Sequence, residues 1–212
     1  MCDMNRGTVV LDPGHGALSN AHTTAPGFYD GFYEGTQNFI LALHLKTALE
    51  EHGFSVLLTR ETVEENPDLE TRGGLAGRSG AILFLSLHSN APGSGTPPER
   101  YHGVRGVNVY YSLSDEAGNA PLATALCKTV SEVMETPDRG IKTRSYPDAP
   151  DVDYYGVLRH SARSGCRRAF LIEHGFHTNP EDSAFLRDEA SLARLARAEA
   201  ETVSQFFSAC GI

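Results

Sequence analysis

The feature that most constrains the fold is an apolar run at residues 81–87, which reads Ala-Ile-Leu-Phe-Leu-Ser-Leu. A strand can be apolar on both sides only where helices cover both faces of its sheet, as in parallel α/β sheets. Other strand-like runs at 8–11, 54–60, 106–112 and 168–172 alternate with segments that have helical spacing. This alternation predicts an α/β fold with a mostly parallel central sheet covered by helices on both faces.

The length of the chain and its helical segments indicate one domain. With 212 residues, the chain can bury one sizeable core. Apolar spacing predicts helices over residues 34–52, 68–79, 115–134, 155–162 and 189–207. The charged residues of the last helix are expected to form a solvated face. No linker or internal repeat divides the chain.

The charge balance argues against two classes of partner. The chain has 18 Lys and Arg residues and 27 Asp and Glu residues, which gives a formal net charge of −9. An acidic chain is a poor binder of phosphate backbones, so no nucleic-acid partner is expected. No apolar stretch of 18 residues is present, so no membrane span is expected. Residues 1–6 are too short and polar for a signal peptide, so none is expected in this chain.

Ionisable residues follow three of the predicted strands. His15, His88 and Glu173 each come at the end of an apolar run, and Glu34 stands at the start of the first helix. The ends of neighbouring parallel strands meet at one rim of a sheet, where α/β proteins bind ligands. Two histidines and one carboxylate with an open position form a catalytic zinc set, and a second carboxylate can then act as a base. For His15 alone, a loop histidine that only forms hydrogen bonds is the alternative.

Several motifs, taken in order, resemble one family. They are Asp-Pro-Gly-His-Gly at 12–16, Glu34 with Asn38, Leu-Ser-Leu-His-Ser-Asn at 85–90, and Ile-Glu-His-Gly-Phe-His-Thr-Asn at 172–179. The combination is similar to the zinc-dependent N-acetylmuramoyl-L-alanine amidases of the amidase_3 type. The resemblance implies a catalytic domain over residues 7–209, preceded by a short extension at 1–6.

The resemblance also implies roles for individual residues. His15, Glu34 and His88 would hold one Zn²⁺, and Glu173 would be the catalytic carboxylate. The family cleaves the amide between the muramoyl lactyl group and L-alanine of peptidoglycan. We expect Glu173 to take a proton from the attacking water and return it to the leaving nitrogen. The alternatives are a zinc hydrolase for another amide and a non-catalytic wall-binding domain, although a binding domain has no need of the base.

Other residues near these motifs are expected to support the site or line it. Arg72 is expected to pair with a carboxylate or with strand-end carbonyls. Asn90 is expected to bond the backbone or a ligand rather than the metal. His174 and His177 are expected to line the site or bond its ligands, with simple packing as the alternative. As a fourth ligand, His174 would close the coordination shell.

The segment at 17–33 is a long loop with several aromatic residues. Tyr33, with Tyr29 and Phe32, is expected either to form a wall for sugar or peptide or to pack the loop onto the domain. Loops of this length without secondary structure are commonly functional.

The resemblance further implies a partner and a location. The partner is peptidoglycan or a muropeptide, and the protein would act at the cell wall, in an extracellular, periplasmic or spore compartment. A chain of net charge −9 gains no attraction to an anionic wall. We therefore expect an activator or a wall-targeting module outside this chain, and a monomeric catalytic unit.

Overall fold

A computed structural model describes residues 6–17, 32–93 and 95–212. The strands within these residues are β1 Thr8–Pro13, β2 Ser55–Leu58, β3 Leu83–Asn90, β4 Val107–Tyr111, β5 Asp138–Lys142, β6 Ser145–Tyr146, β7 Ala149–Asp153 and β8 Ala169–Phe176. The α-helices are α1 Glu34–Glu51, α2 Leu69–Arg78, α3 Glu116–Met134, α4 Gly156–Ser164, α5 Pro180–Arg187 and α6 Glu189–Ala209.

The main sheet has the strand order β2-β1-β3-β8-β4-β5. Strands β2, β1, β3 and β8 are parallel, which confirms the mostly parallel sheet that the sequence predicts. Strand β4 pairs antiparallel with β8, and β5 runs parallel to β4. The reversal has a physical reason, because the described residues of the connection from β3 to β4 contain a short 3₁₀ helix at Pro98–Gly103 and no α-helix. A parallel return normally needs a helical crossover.

Helices cover both faces of the sheet. Helices α1, α3 and α6 pack on one face, where Leu41, Leu45 and Leu49 of α1 recur at the helical spacing of four residues and join the larger core. Helices α2 and α4 pack against each other on the other face, where Val157 and Leu158 join the smaller core. The predicted layering is therefore confirmed.

Helix α5 begins with a capped N-terminus. The side chain of Asn179 accepts hydrogen bonds from the main-chain N–H groups of Glu181 and Asp182, and Pro180 is the first residue of α5. Helix α2 begins in the same way, with Asp68 accepting from the N–H of Thr71. These caps satisfy N–H groups that have no partner within the helix.

Two segments differ from the sequence prediction or lie beyond it. Residues 137–153, for which the sequence analysis predicts no strand or helix, contain edge strand β5 and the β6–β7 hairpin. The loop expected at 17–33 lies mostly outside the described residues, as does Tyr29. Among the helices that the structure describes, none combines the length and the apolar character needed to cross a bilayer.

Candidate metal and catalytic centre

The sheet brings the predicted strand-end residues to one rim. His88 on β3 and Glu173 on β8 are direct neighbours in the parallel register, so both side chains lie on the face covered by α2 and α4. His15 follows the end of β1, and Glu34 is the first residue of α1. Four residues from separate parts of the chain therefore converge at the C-terminal ends of the parallel strands.

Three of these residues form a compact group of potential metal ligands. One ligand atom from each of His15, Glu34 and His88 lies within 4.8 Å of the others. Glu34 Oε1 is 3.2 Å from His88 Nδ1 and 3.5 Å from His15 Nε2. The same oxygen accepts a 3.0 Å hydrogen bond from the main-chain N–H of Ser89. This bond and the two imidazoles fix the orientation of a carboxylate that is 1% exposed.

The electrostatics of His15 and Glu34 suit a divalent metal. Burial lowers the pKa of His15 to about 4, so its imidazole is neutral near pH 7 and keeps a lone pair for a metal. Burial would raise the pKa of Glu34, but the hydrogen bond and charge of His88 outweigh it and lower the pKa to about 2. Glu34 is thus ionised. Burial would lower the pKa of His88, but the hydrogen bond and charge of Glu34 outweigh it and raise the pKa, so a metal has to displace a proton from His88. Nitrogen and carboxylate donors in this number fit a catalytic zinc site.

The backbone at His15 adopts an unusual conformation. His15 has φ 62°, a left-handed value that few non-glycine residues adopt. Its carbonyl accepts a 3.0 Å hydrogen bond from Arg72 Nη2, which holds the turn in place. The preceding Gly14 faces the imidazole of His88, and a Cβ at this position would overlap that ring. Glycine is therefore required for the two histidines to approach each other.

Arg72 and Asp12 connect the site to the sheet beneath it. Arg72 donates to Asp12 Oδ1 at 2.7 Å, and it also donates to the carbonyls of Pro13, His15 and Pro67 and to the side chain of Asn66. Arg72 therefore has the type of partners that the sequence analysis predicts.

Asp12 is fully buried and also accepts from the hydroxyl groups of Thr59 and Ser86, each at 2.6 Å. Burial would raise its pKa, but Arg72 and these hydroxyls lower it below the usual range. Asp12 and Ser86 lie on the adjacent strands β1 and β3, and Thr59 directly follows β2, so one ionised carboxylate connects three neighbouring parts of the sheet.

Glu173 has the environment of a group that can exchange a proton. Burial raises the pKa of Glu173 to about 7, and the negative charge of Glu34 adds to the effect while His88 opposes it. Its Oε2 atom is buried, with no hydrogen-bond partner in residues 6–17, 32–93 and 95–212. A buried carboxylate with an unused oxygen, beside a candidate metal site, is a functional-site signal.

His174 occupies a different place from the three clustered ligands. It is the next residue after Glu173, so strand alternation turns its side chain to the opposite face. Its Nδ1 lies 3.0 Å from the carbonyl oxygen of His88, and its Nε2 lies 3.1 Å from Glu199 Oε1 on α6. Both ring nitrogens are thus occupied by protein partners. Glu199 is 0% exposed, so the expectation that the charged residues of this helix form a solvated face is wrong here.

His177 contacts Ser89, whose main-chain N–H binds Glu34. Its Nδ1 is 3.0 Å from Ser89 Oγ, and its ring stacks on buried Phe32 with centroids 5.3 Å apart. The main-chain N–H of His177 donates to the main-chain carbonyl of Asn90, and the role expected for the Asn90 side chain stays a prediction. His177 thus contacts the segment that orients Glu34.

Tyr33 lies at the start of α1, and Arg60 contacts that start from just beyond β2. Tyr33 is 37% exposed, and its carbonyl accepts hydrogen bonds from Thr36 and Gln37. Arg60 is 1% exposed and donates to the carbonyls of Pro13 and Gly35, so it joins β1 to the helix that carries Glu34. The sequence analysis assigns Arg60 only to the end of a strand. A single arginine just after an apolar strand is the sequence signal that could have indicated its supporting role.

An open cleft lies next to the clustered residues. His15, His88 and Arg72 line it, with Leu69 and Val157 from the two helices that cover this face. The imidazoles of His15 and His88 are therefore accessible from this cleft.

The comparisons with known proteins agree on one family. Residues 9–205 match the Amidase_3 family, described as N-acetylmuramoyl-L-alanine amidase. A sporulation-specific N-acetylmuramoyl-L-alanine amidase of Bacillus subtilis is 32% identical over 205 residues, which cover 94% of this chain and 68% of the relative.

Solved structures support the same assignment. The catalytic domain of CwlV, an amidase from Bacillus (Paenibacillus) polymyxa, has a TM-score of 0.73 and 26% identity, covering 95% of this chain and 98% of that one. The Clostridioides difficile CwlD amidase, solved in complex with the GerS lipoprotein, has the same fold, with a TM-score of 0.71 and 22% identity over 96% of this chain and 99% of that chain. The chain therefore belongs to the Amidase_3 family of N-acetylmuramoyl-L-alanine amidases, which are hydrolases.

Proposed function

We propose that this protein is a zinc-dependent peptidoglycan amidase that cleaves the bond between the muramoyl lactyl group and L-alanine. Family membership supports the reaction. The observation that carries the proposal is the group formed by His15, Glu34 and His88, with Glu173 beside it in the strand register. A domain that only binds the wall would need neither these ligands nor a buried carboxylate with a raised pKa.

His15, Glu34 and His88 would hold the zinc ion. A neutral imidazole and an ionised carboxylate are the forms that bind metal, and His15 and Glu34 have pKa values that favour them at pH 7. When bound, zinc lowers the pKa of water and stabilises negative charge that develops on the amide oxygen. Arg72 and Ser89 would keep the ligands in place through their bonds to the His15 carbonyl and the Glu34 carboxylate.

Glu173 would act as the general base and then as the general acid. Its carboxylate takes a proton from the attacking water and returns it to the nitrogen of L-alanine as the amide bond breaks. A base works best with a pKa near the working pH, and burial raises the pKa of Glu173 to about 7. Asn90, His174, His177 and Tyr33 would support the site or border it rather than bind the metal.

The domain boundaries, partners and location belong to the same proposal. The catalytic domain would span residues 7–209, after a short extension at 1–6, and would work as a monomer at the cell wall. One fold relative was solved with a lipoprotein partner, so we propose that an activator or targeting partner also serves this chain. Equilibrium sedimentation of the purified protein, and hydrolysis with and without cell extract, would test the monomer and the activator.

The test of the mechanism is Glu173→Gln, which keeps the size of the side chain and removes the base. We expect the variant to retain about one zinc per chain and to lose at least about a hundredfold in kcat on purified muropeptide. Glu181→Gln, at an exposed position on α5, is the matched control and should keep the rate. Full hydrolysis by Glu173→Gln with zinc bound would exclude Glu173 as the base.

A further inference from the structure

Three cations that have no carboxylate partner in the described part of the chain lie near the start of α4, the helix whose first turn borders the cleft. They are held by tyrosine rings on β4, the β6–β7 hairpin and the start of α4. We call this surface the cationic ledge and define it by Tyr110, Lys142, Arg144, Tyr154, Tyr155 and Arg159. The inference below rests on the proposed function, because it concerns the substrate of the same site.

The cationic ledge adjoins Glu173. Strand β4 pairs with β8 so that Asn108 is opposite Glu173 and Tyr110 is opposite Leu171, and Tyr110 therefore faces the same side as Glu173. The rings of Tyr110 and Tyr155 are in contact, with centroids 4.8 Å apart. Burial, Tyr110 and the charge of Glu173 all raise the pKa of Tyr155, which agrees with this proximity.

The cationic ledge is also continuous with the cleft. Tyr155 caps α4, and Val157 in the first turn of that helix lines the cleft together with His15 and His88. A substrate whose amide reaches Glu173 therefore has the cationic ledge beside it.

The cations are held in place. The guanidinium carbon of Arg144 lies 3.7 Å from the centroid of Tyr154 and 5.7 Å from that of Tyr155. Arg159 donates to the carbonyls of Asp153 and Tyr154. Stacked arginines lose little freedom when they bind a ligand, and their N–H edges stay available.

No protein carboxylate neutralises the cationic ledge. In the part of the chain that the structure describes, no Asp or Glu oxygen lies within 4.0 Å of a charged nitrogen of Lys142, Arg144 or Arg159. Asp148 and Asp151 on the neighbouring hairpin are exposed and equally unpaired.

The remaining acid of this hairpin, Asp153, is buried and already occupied. It accepts from the hydroxyl of Ser112 and the N–H of Leu113. In a chain of net charge −9, three cations that have no carboxylate partner among the described residues, close to the proposed catalytic carboxylate, favour an anionic ligand.

The tyrosine rings of the cationic ledge are covered on one face by its cations, and this helps to identify the anionic ligand. Sugars stack on free aromatic faces, but Arg144 covers Tyr154 and Lys142 lies 6.0 Å from the centroid of Tyr110. A guanidinium on a ring presents paired N–H donors that match a carboxylate. We propose that the cationic ledge binds free carboxylates of the peptide that continues from L-alanine, with Arg144 as its main determinant of specificity.

The test compares two muropeptides that differ only in charge. One carries free carboxylates on its stem peptide, and in the other these groups are converted to primary amides. We expect the wild-type protein to have a KM about tenfold lower for the acidic muropeptide. Arg144→Gln should raise that KM about tenfold, leave the KM for the amidated muropeptide within twofold, and so remove the discrimination.

Arg194→Gln is the matched control. Arg194 is also an arginine stacked on a ring, 5.4 Å from the centroid of Phe185, but it lies on α6. It should leave both KM values unchanged. An equal loss on both muropeptides with Arg144→Gln, or no loss on either, would overturn the proposal. A loss that depends on glycan length and not on stem charge would assign the surface to sugar and would also overturn it.

A binding measurement separates this inference from the proposed function. The probes are the free acidic stem peptide and its amidated form, titrated into the full chain by calorimetry without any turnover. If the protein cleaves no muropeptide, tighter binding of the acidic peptide that Arg144→Gln abolishes would still support the peptide subsite. Equal binding of the two peptides, or no binding of either, would refute it.

Discussion

Replacing Arg72 by Met should destabilise the protein mainly through Asp12. The side chain of Arg72 is 3% exposed and makes five hydrogen bonds, one of them the 2.7 Å bond to Asp12. Its removal leaves a buried carboxylate with two hydroxyl partners and no counter-charge. Removing one partner of a buried ion pair costs about 3–5 kcal/mol, a large share of the roughly 5–15 kcal/mol that stabilises a domain.

A second substitution isolates the unpaired charge. In the wild-type protein, Asp12→Asn should also be destabilising, because it leaves the guanidinium of Arg72 buried without its carboxylate. In the Arg72→Met protein, the same substitution should be stabilising by about 1–3 kcal/mol, because it removes a buried charge that has lost its partner. The predicted effect of Asp12→Asn therefore changes sign between the two backgrounds.

The pH dependence follows from the pKa of Asp12. In the wild-type protein this pKa lies below 3.8, so the ionised group stabilises the fold above pH 3.8, and the contribution is lost as pH falls through the lower folded value. In Arg72→Met, burial dominates and the folded pKa rises above 3.8. The penalty of the ionised carboxylate is then present at pH 7 and decreases as pH falls through the raised value.

The assay is urea unfolding of metal-free protein at pH 7 and at pH 4.5, for the wild type, both single variants and the double variant. Arg72→Lys, which keeps a charge but loses the planar fork, serves as a milder variant if Arg72→Met does not fold. Additive effects of the two substitutions, or a penalty of Arg72→Met that does not change with pH, would refute the reasoning.

Three further predictions concern the surroundings of the site. Gly14→Ala should weaken zinc binding at least about tenfold by displacing the His88 ring, whereas Gly103→Ala, which meets open space, should not; equal affinities would contradict this. Glu173→Gln should stabilise metal-free protein by up to about 3 kcal/mol at pH 8 and by little at pH 4.5, because its folded pKa of about 7 exceeds the usual 4.5; a pH-independent difference in urea unfolding would count against it. Glu199→Ala should cost about 1–3 kcal/mol by urea unfolding because it removes an acceptor from a buried histidine, and Glu199→Gln should cost less; equal losses would refute this.

The rim of the sheet could be predicted because it follows from a general property of parallel strands. Once residues 8–11, 81–87 and 168–172 are assigned as parallel strands, His15, His88 and Glu173 must come close together. The reversed direction of β4 could not be predicted, because an alternating strand pattern carries no information about direction. Strands β5, β6 and β7 are short and rich in polar residues, so their composition resembles that of a loop.

The supporting bonds depend on contacts that are distant in the sequence. The sequence predicts the type of group that Arg72 bonds, but it does not identify Asp12 and His15, which are each about 60 residues away in the chain. Glu199 lies on the buried face of α6 with Ala196 and Val203, but only the contact with His174 from β8 explains why a carboxylate is accommodated there. A sequence pattern gives the type of a group but not the partner that neutralises it.

The central claim is that the clustered ligands hold zinc for cleavage of the muramoyl–L-alanine amide. The most direct measurement is mass spectrometry of the products from purified muropeptide, digested by protein of known zinc content with and without chelator. We expect about one zinc per chain and chelator-sensitive release of peptides that begin with L-alanine, with the glycan left intact. Cleavage at any other bond, or release that continues at full rate without zinc, would contradict it.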